Sequence, residues 1–343
     1  EIMKKIFLGI FLCLIFLTGC GKKSDGDVLK SYTSAVEKAK SYYLNGKMEL
    51  VNNEDVYTYD ISVSYEADDN YKIELVNTVN NHEQVILRNS EGVYVVTPSL
   101  NKSFKFQSDW PYNNSQVYLL SSLLDDINND EERVFEIKDN EYVFTTRVNY
   151  PNSPKLEKQK IYFNANNLPT RVEVLDKDGN VEIKMVFNKI DLKADFNDTY
   201  FDLSSILDTE IKEENNEEQK NTETETKETA TIDDIIYPMY LPTNTYLANQ
   251  EKVKVDNGER LILTFAGDSS FVLVEETVSI TNSPEIIPTY GEVELIGASL
   301  AVINDNSANW FSNGIEYYVV SDTMDSSEIL EVAKSISVLP VGK

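Results

Sequence analysis

Between Val56 and Leu75 the apolar side chains fall on every second position: Tyr57, Tyr59, Ile61, Val63 and Tyr65, then Tyr71, Ile73 and Leu75 after an Asp/Asn cluster. A period of two places one set of side chains on one face of an extended chain, so this stretch must bury a single face of a β-sheet. Short strands parted by Asn, Asp and Gly continue through Val85–Leu87, Gly92–Val96 and Phe104–Phe106, the pattern of an antiparallel meander. The rhythm resumes at Val134–Ile137, Tyr142–Val148, Lys158–Phe163, Arg171–Leu175 and Val181–Phe187, with Asp178-Gly179 as a hairpin turn between the last two.

Two segments follow the helical period instead. Val28, Tyr32, Ala35, Val36, Ala39 and Tyr43 recur at three- and four-residue steps, which predicts an amphipathic helix of about four turns with Asp27 as its N-cap. Val117, Leu119, Leu120, Leu123, Leu124 and Ile127 predict a second helix over Ser115–Ile127, crossing the sheet. From Asp208 to Asp234 the composition turns to eleven acidic residues, three Lys and no aromatic residue, which reads as a solvated acidic linker over 208–234. Alternation returns at Val253–Val255, Leu261–Phe265, Phe271–Glu275, Val293–Ile296, Leu300–Ile303 and Ile315–Val320. A final helix is expected over Ser326–Ile336. The expected fold class is therefore α+β, with a larger domain at 28–207 and a smaller α+β domain at 235–343.

The amino terminus bears on location. Met3-Lys4-Lys5 precedes twelve uncharged, mostly apolar residues, Ile6–Leu17, too short a run to span a hydrocarbon core as a helix. Leu17-Thr18-Gly19-Cys20 follows and resembles the cleavage and acylation site of bacterial lipoproteins. On that resemblance 1–19 is a signal peptide, Leu17, Thr18 and Gly19 are read by the peptidase, and Cys20 carries the lipid as the first mature residue. Residues 20–27 then form a polar tether. Two or more acyl chains hold a protein on a bilayer, so the expected location is the extracytoplasmic face of the cell membrane. Cys13 falls in the leader, which leaves no free thiol for catalysis.

Charge and residue supply exclude further classes. With 31 Lys+Arg against 58 Asp+Glu the net charge is -27, which repels phosphate backbones, so no nucleic-acid partner is expected. The single histidine, His82, sits in a turn-like stretch with no neighbouring ligands and is expected on the surface; no metal and no cofactor are predicted. Asp125-Asp126 and Glu131-Glu132 are acid pairs of the kind glycosidases use, but chance adjacency accounts for them among so many carboxylates. No P-loop or dinucleotide fingerprint occurs. Trp110, Tyr118, Leu119, Leu120 and Leu123 form the most apolar helical surface, which either packs in the core or serves as a lid over an apolar groove.

A family resemblance rests on Asn89-Ser90-Glu91-Gly92-Val93-Tyr94-Val95-Val96-Thr97-Pro98, Asn101-Lys102 and Trp110-Pro111, and on Lys160-Ile161-Tyr162-Phe163 through Leu168-Pro169, Val172-Glu173-Val174 and Asp178-Gly179-Asn180-Val181. These residues resemble the outer-membrane lipoprotein carrier (LolA-like) and sigma-factor-regulator superfamily, specifically its sporulation branch with the GerS-type germination lipoproteins. Tyr237-Pro238, Leu241-Pro242, Gly314-Ile315-Glu316-Tyr317-Tyr318 and Ala333-Lys334-Ser335-Ile336 are similar to a small domain of unassigned function appended to such proteins. The resemblance implies a curved antiparallel half-barrel with helices on its concave side and no catalytic residues. It implies either a protein partner, such as a spore-cortex amidase, or acyl chains held in the concavity. The resulting expectation is a non-enzymatic, lipid-anchored accessory protein that binds an extracytoplasmic partner during sporulation or germination.

Overall fold

A computed structural model describes residues 23–52, 55–106, 108–112, 114–207, 231–232, 234–256, 258–281 and 283–336. The leader, Leu17-Thr18-Gly19-Cys20 and nearly all of the 208–234 segment lie outside the described residues. Within those described, no helix is long and apolar enough to cross a membrane.

Helix α1 (Asp25–Lys38) starts one turn earlier than the sequence suggests. Its N-cap is Ser24, whose Oγ accepts the Asp27 N–H while the Asp27 carboxylate accepts the Ser24 N–H, a reciprocal capping box. The helix also ends earlier, because Tyr43 belongs to strand β1 (Ser41–Asn52). There Tyr42, Leu44, Met48 and Leu50 are buried in alternation, a period-two run hidden in the sequence by the helix-like spacing of Ala39 and Tyr43. Gly46 falls where the register to the neighbouring strand shifts; a Cβ there would lie 2.1 Å from the Val186 carbonyl oxygen.

Strands β2 (Asp55–Glu66), β3 (Asn70–Asn77), β4 (Glu83–Asn89), β5 (Gly92–Thr97) and β6 (Lys102–Phe106) follow as the expected meander. Helix α2 (Leu120–Asn129) starts later than predicted, at the end of an irregular stretch. Next come β7 (Val134–Lys138), β8 (Glu141–Arg147), β9 (Leu156–Phe163), β10 (Pro169–Asp176) and β11 (Val181–Asp191). The second half adds β12 (Thr245–Val255), β13 (Gly258–Gly267), β14 (Phe271–Thr277), β15 (Glu285–Pro288), β16 (Glu292–Ile296), β17 (Ser299–Ile303), β18 (Ser307–Ser312), β19 (Ile315–Val320) and helix α3 (Ser326–Lys334).

The strands form two sheets. The larger has twelve, in the order β15-β6-β5-β4-β3-β2-β1-β11-β10-β9-β8-β7; the smaller has seven, in the order β12-β13-β14-β19-β18-β17-β16. The chain is mostly β with few helices, a correction to the α+β expectation: β1, β15 and β18 add strand where none was predicted, and both early helices are shorter than their apolar stripes. Strand β15 comes from the carboxy-terminal half, yet pairs in parallel with β6 in the larger sheet.

One core fills the inner face of the larger sheet, under α1 and α2. Tyr32 of α1 donates its hydroxyl to the Leu120 carbonyl at 2.7 Å and meets Phe163 of β9 edge-on at 4.9 Å. Val293, Leu300, Val302 and Phe311 of the smaller sheet enter this same core, with Phe311 stacked on Phe104 at 4.9 Å. The opposite face of the smaller sheet packs on Ile329, Leu330, Val332 and Ala333 of α3. Strands β4 and β5 are buried on both faces, since the segment after β11 returns over the outer surface and lays Phe201 and Leu207 on Val85, Leu87, Tyr94 and Val96.

Candidate functional site

The strand registers put the ends of β1, β3, β5, β8 and β10 along one rim of the larger sheet, and the carboxy-terminal half is fastened to that rim. Asn52, at the end of β1, donates to the Lys334 carbonyl at 3.0 Å. Gln84, at the start of β4, accepts the Leu300 N–H; Asn101 donates to the Thr281 carbonyl at 3.1 Å; and Lys102 pairs with Glu285. After β8, Asn152 donates to Glu294 at 3.0 Å and accepts the Ser326 hydroxyl, while the Lys334 ammonium donates to Ser153 Oγ at 3.2 Å. Burial holds the Glu294 carboxyl above its usual range, opposed by the Asn152 hydrogen bond and the Lys334 charge.

Behind this polar lip lies a cavity of about 80 Å³ with Met48, Leu50, Leu75, Tyr118, Ile183 and Leu300 among its lining residues. Ligand pockets run to ~300–1,000 Å³, and an acyl chain does not fit in the closed form described.

The five residues of the candidate lid are all buried. Trp110 and Leu119, Leu120 and Leu123 have no exposed surface and sit in the core between α1, α2 and the sheet; Trp110 meets Tyr71 edge-on. Only Tyr118 borders the cavity. The apolar stripe is thus spent on packing in this conformation.

The acid pairs line a separate cleft of about 530 Å³ on the outer side of α2, with Asp125, Asp126, Asp130 and Glu132 around Ser115 and Asn149. Burial raises the Asp126 carboxyl to about 6, against hydrogen bonds donated by Ser115 Oγ at 3.0 Å and Gln159 Nε2 at 2.6 Å. Both its oxygens are committed to joining the 115 loop and β9 to α2. Asp130 is committed too, accepting the Glu132 and Arg147 N–H groups. These are the bonds of a structural bracket. His82, in the β3–β4 turn, is half-buried: its Nε2 is enclosed without a protein partner among the described residues, and burial lowers its pKa. Among the described residues no group of three or more His, Cys, Asp or Glu is placed to hold a metal ion.

What the sequence did not single out is a patch just before and along β12. Met239 is 87 % exposed, and Tyr237, Tyr240, Tyr246 and Leu247 are exposed beside it in the chain. β12 is an edge strand of the smaller sheet with no residue buried along its length. Tyr237 reaches Gln250 of β12 through its hydroxyl, and the Met239 N–H bonds to Ser335, so the patch is fixed to the sheet and to α3. Pro238 and Pro242, which cannot complete a β-ladder, were the available signal that this apolar run is not a strand.

Comparison with known proteins gives these features a context. The family described as sporulation protein YdcC-like matches residues 2–201. The chain is 32% identical over 326 residues to the sporulation protein YdcC of Bacillus subtilis (strain 168), covering 95% of this chain and 94% of that one. Among solved structures it is similar to the MucA/MucB complex of Pseudomonas aeruginosa, with a TM-score of 0.32, 12% identity and coverage of 90% of this chain and 97% of that one. A second is the CwlD amidase of Clostridioides difficile in complex with the GerS lipoprotein, with a TM-score of 0.23, 16% identity and coverage of 51% and 98%.

Proposed function

The chain belongs to the YdcC-like sporulation proteins, and on that premise we propose that it is a lipid-anchored, non-enzymatic accessory protein on the extracytoplasmic membrane face, binding another envelope protein. The observation that carries the binding role is the fixed, solvent-facing patch of Tyr237, Met239, Tyr240 and Tyr246 beside the open edge of β12. Exposed apolar side chains close together in the chain, covered by no core among the described residues and rich in Tyr and Met, have the composition of an interface. The anchor rests on Leu17-Thr18-Gly19-Cys20 and the basic, apolar leader before it.

The partner class implied by the sequence resemblance is a peptidoglycan amidase acting in germination. The scaffold is read as a strongly curved half-barrel. Supporting this, Trp110 in the stretch before α2 meets Tyr71 on β3, while Tyr32 of α1 bonds the Leu120 carbonyl at the start of α2 and meets Phe163 on β9, five strands from β3. A photo-crosslinking residue at Met239 in sporulating cells should capture an envelope enzyme, and Tyr240→Ala with Tyr246→Ala should abolish the adduct. Germination of a deletion strain at the normal rate, with no adduct formed, refutes the proposal.

A second reading, acyl-chain binding in the concavity, is favoured by the apolar cavity floor of Met48, Leu50, Leu75 and Ile183. It requires the smaller sheet to withdraw. Native mass spectrometry of the full chain should then show co-purified acyl mass beyond that on Cys20.

A further inference from the structure

The anchored reading has a geometric consequence, since the described chain begins only three residues after Cys20. Three residues reach at most about 10 Å. Lys23 is itself tied down: its ammonium donates to the Ala165 carbonyl at 2.9 Å and to Asn167 Oδ1 at 3.0 Å, in the β9–β10 turn, and lies over the Tyr142 ring. The capping box at Ser24 fixes the direction in which α1 leaves this point. At the other end of the helix, the Lys40 carbonyl accepts the Ala67 N–H at 2.7 Å, in the β2–β3 turn, and Ser41 opens β1.

The turns at both ends of α1 share one rim. The registers Tyr142↔Phe163, Tyr43↔Asp191, Tyr42↔Tyr65 and Tyr71↔Arg88 align the starts of β1, β3, β8 and β10 with the ends of β2, β4, β9 and β11. Helix α1 therefore runs along this rim rather than down the sheet. The contacts to the carboxy-terminal half cluster toward the opposite rim, through Asn52, Gln84, Asn101 and Asn152. The twelve-residue strand β1 separates the rims by about 40 Å at ~3.4 Å per residue.

We propose that the rim formed by the 67–69, 139–140 and 164–167 turns, with α1 laid along it, faces the lipid bilayer, and that the smaller sheet with its Tyr/Met patch is held at the far end. The inference rests on acylation of Cys20. The rim stands at the surface without entering it: Asp69 and Asp191 are paired with Arg88 and Lys189, while Asp68 and Asp139 would repel anionic headgroups within a Debye length of ~8–10 Å and Lys22 and Lys23 flank the anchor. A partner bound at the patch is then one whose docking site stands well away from the membrane, on the wall side.

The test uses the full mature lipoprotein in vesicles of phosphatidylcholine and phosphatidylglycerol carrying a headgroup-linked acceptor dye. Cys20 is the only mature cysteine, and acylation blocks it, so Asn166→Cys, Lys177→Cys and Met239→Cys each give a unique labelling site at an exposed position. Donor quenching should be several-fold stronger at position 166 than at 177 or 239. Acylated protein that floats with the vesicles but is quenched equally or more at 177 or 239 overturns the orientation alone. An intact mass without diacylglycerol on Cys20, with no flotation, overturns the anchor and the orientation with it.

Discussion

Phe311→Ala tests whether the two sheets are one folding unit. Phe311 belongs to β18 of the smaller sheet but packs in the core of the larger, 1 % exposed and parallel to Phe104 within 10°. Truncating a buried Phe costs about 3–5 kcal/mol, from lost transfer free energy and the cavity left behind. Here the loss falls on the seam, so it weakens the coupling between sheets by roughly a thousandfold, at 1.4 kcal/mol per tenfold. The chain contains two tryptophans: Trp110 lies in the core of the larger sheet, and Trp310 is stacked on Tyr317 in the core beneath α3. Single-tryptophan variants, Trp310→Phe and Trp110→Phe, therefore report the two regions separately in urea. In each background the parent should show coincident transitions. Adding Phe311→Ala should move the Trp310 transition to lower urea ahead of the Trp110 transition. Transitions that already separate in the parent, or a Trp310 midpoint shifted by less than about 1 kcal/mol equivalent, would refute the shared core.

Stability should also depend on pH through two carboxyls. Burial raises Asp126 to about 6 and Glu275, which accepts the Ile236 N–H, to about 7; each favours its protonated form in the fold, so the stability it adds is complete below pH ~4 and is lost as pH rises through 6 and 7. Asp126→Asn should flatten the lower part of that profile, by at most about 3 kcal/mol, because the Gln159 amide can turn its unpartnered Oε1 toward the new NH₂; thermal melts from pH 4 to 8 that keep the parental slope would contradict this. Gly46→Ala should destabilise by about 3 kcal/mol or prevent folding, since its methyl group meets the Val186 carbonyl; a melt within a few degrees of the parent would show the strands are free to part. Cys20→Ser should move the protein from the detergent phase to the aqueous phase in Triton X-114 partition, and retention in detergent would remove the basis for the anchor.

The elements the sequence made legible are those whose partners are near neighbours in the chain. The hairpins from β2 to β5 and from β7 to β11 combine alternation with Asn, Asp and Gly at the turns, so pattern and turn chemistry agree. Asn167 and Asn140 take left-handed backbone conformations there, as such turns demand. β15 was illegible for the opposite reason. Four residues that follow Pro284 and end in Pro288 have little strand preference of their own, and they are extended because β6 accepts them as a parallel neighbour and Lys102 pairs with Glu285. β18, Ser-Ala-Asn-Trp-Phe-Ser, carries no β-branched residue and is fixed by its two neighbours in the sheet.

The candidate lid and the seam show the same limit at the level of function. Periodicity revealed that α2 has an apolar face, but a face is a lid or a core depending on what lies across from it. Across from it are Tyr32 of α1 and the inner face of the larger sheet at β8. Nothing in the sequence marks Gln84 and Asn52, yet each is buried because it answers a backbone group 216 and 282 residues away. A main-chain donor or acceptor carries no residue identity, so no sequence pattern marks the side chain that satisfies it. The patch at 237–247 is the converse case: its residues have core-like chemistry and remain outside, because Pro238 and Pro242 keep 237–242 out of the sheet, where Ser335 and Gln250 hold it, and Tyr246 and Leu247 lie on an edge strand that buries no residue. A backbone held by these bonds has less freedom to lose on meeting a partner, which is why the proposed binding role rests on this patch and not on the closed concavity.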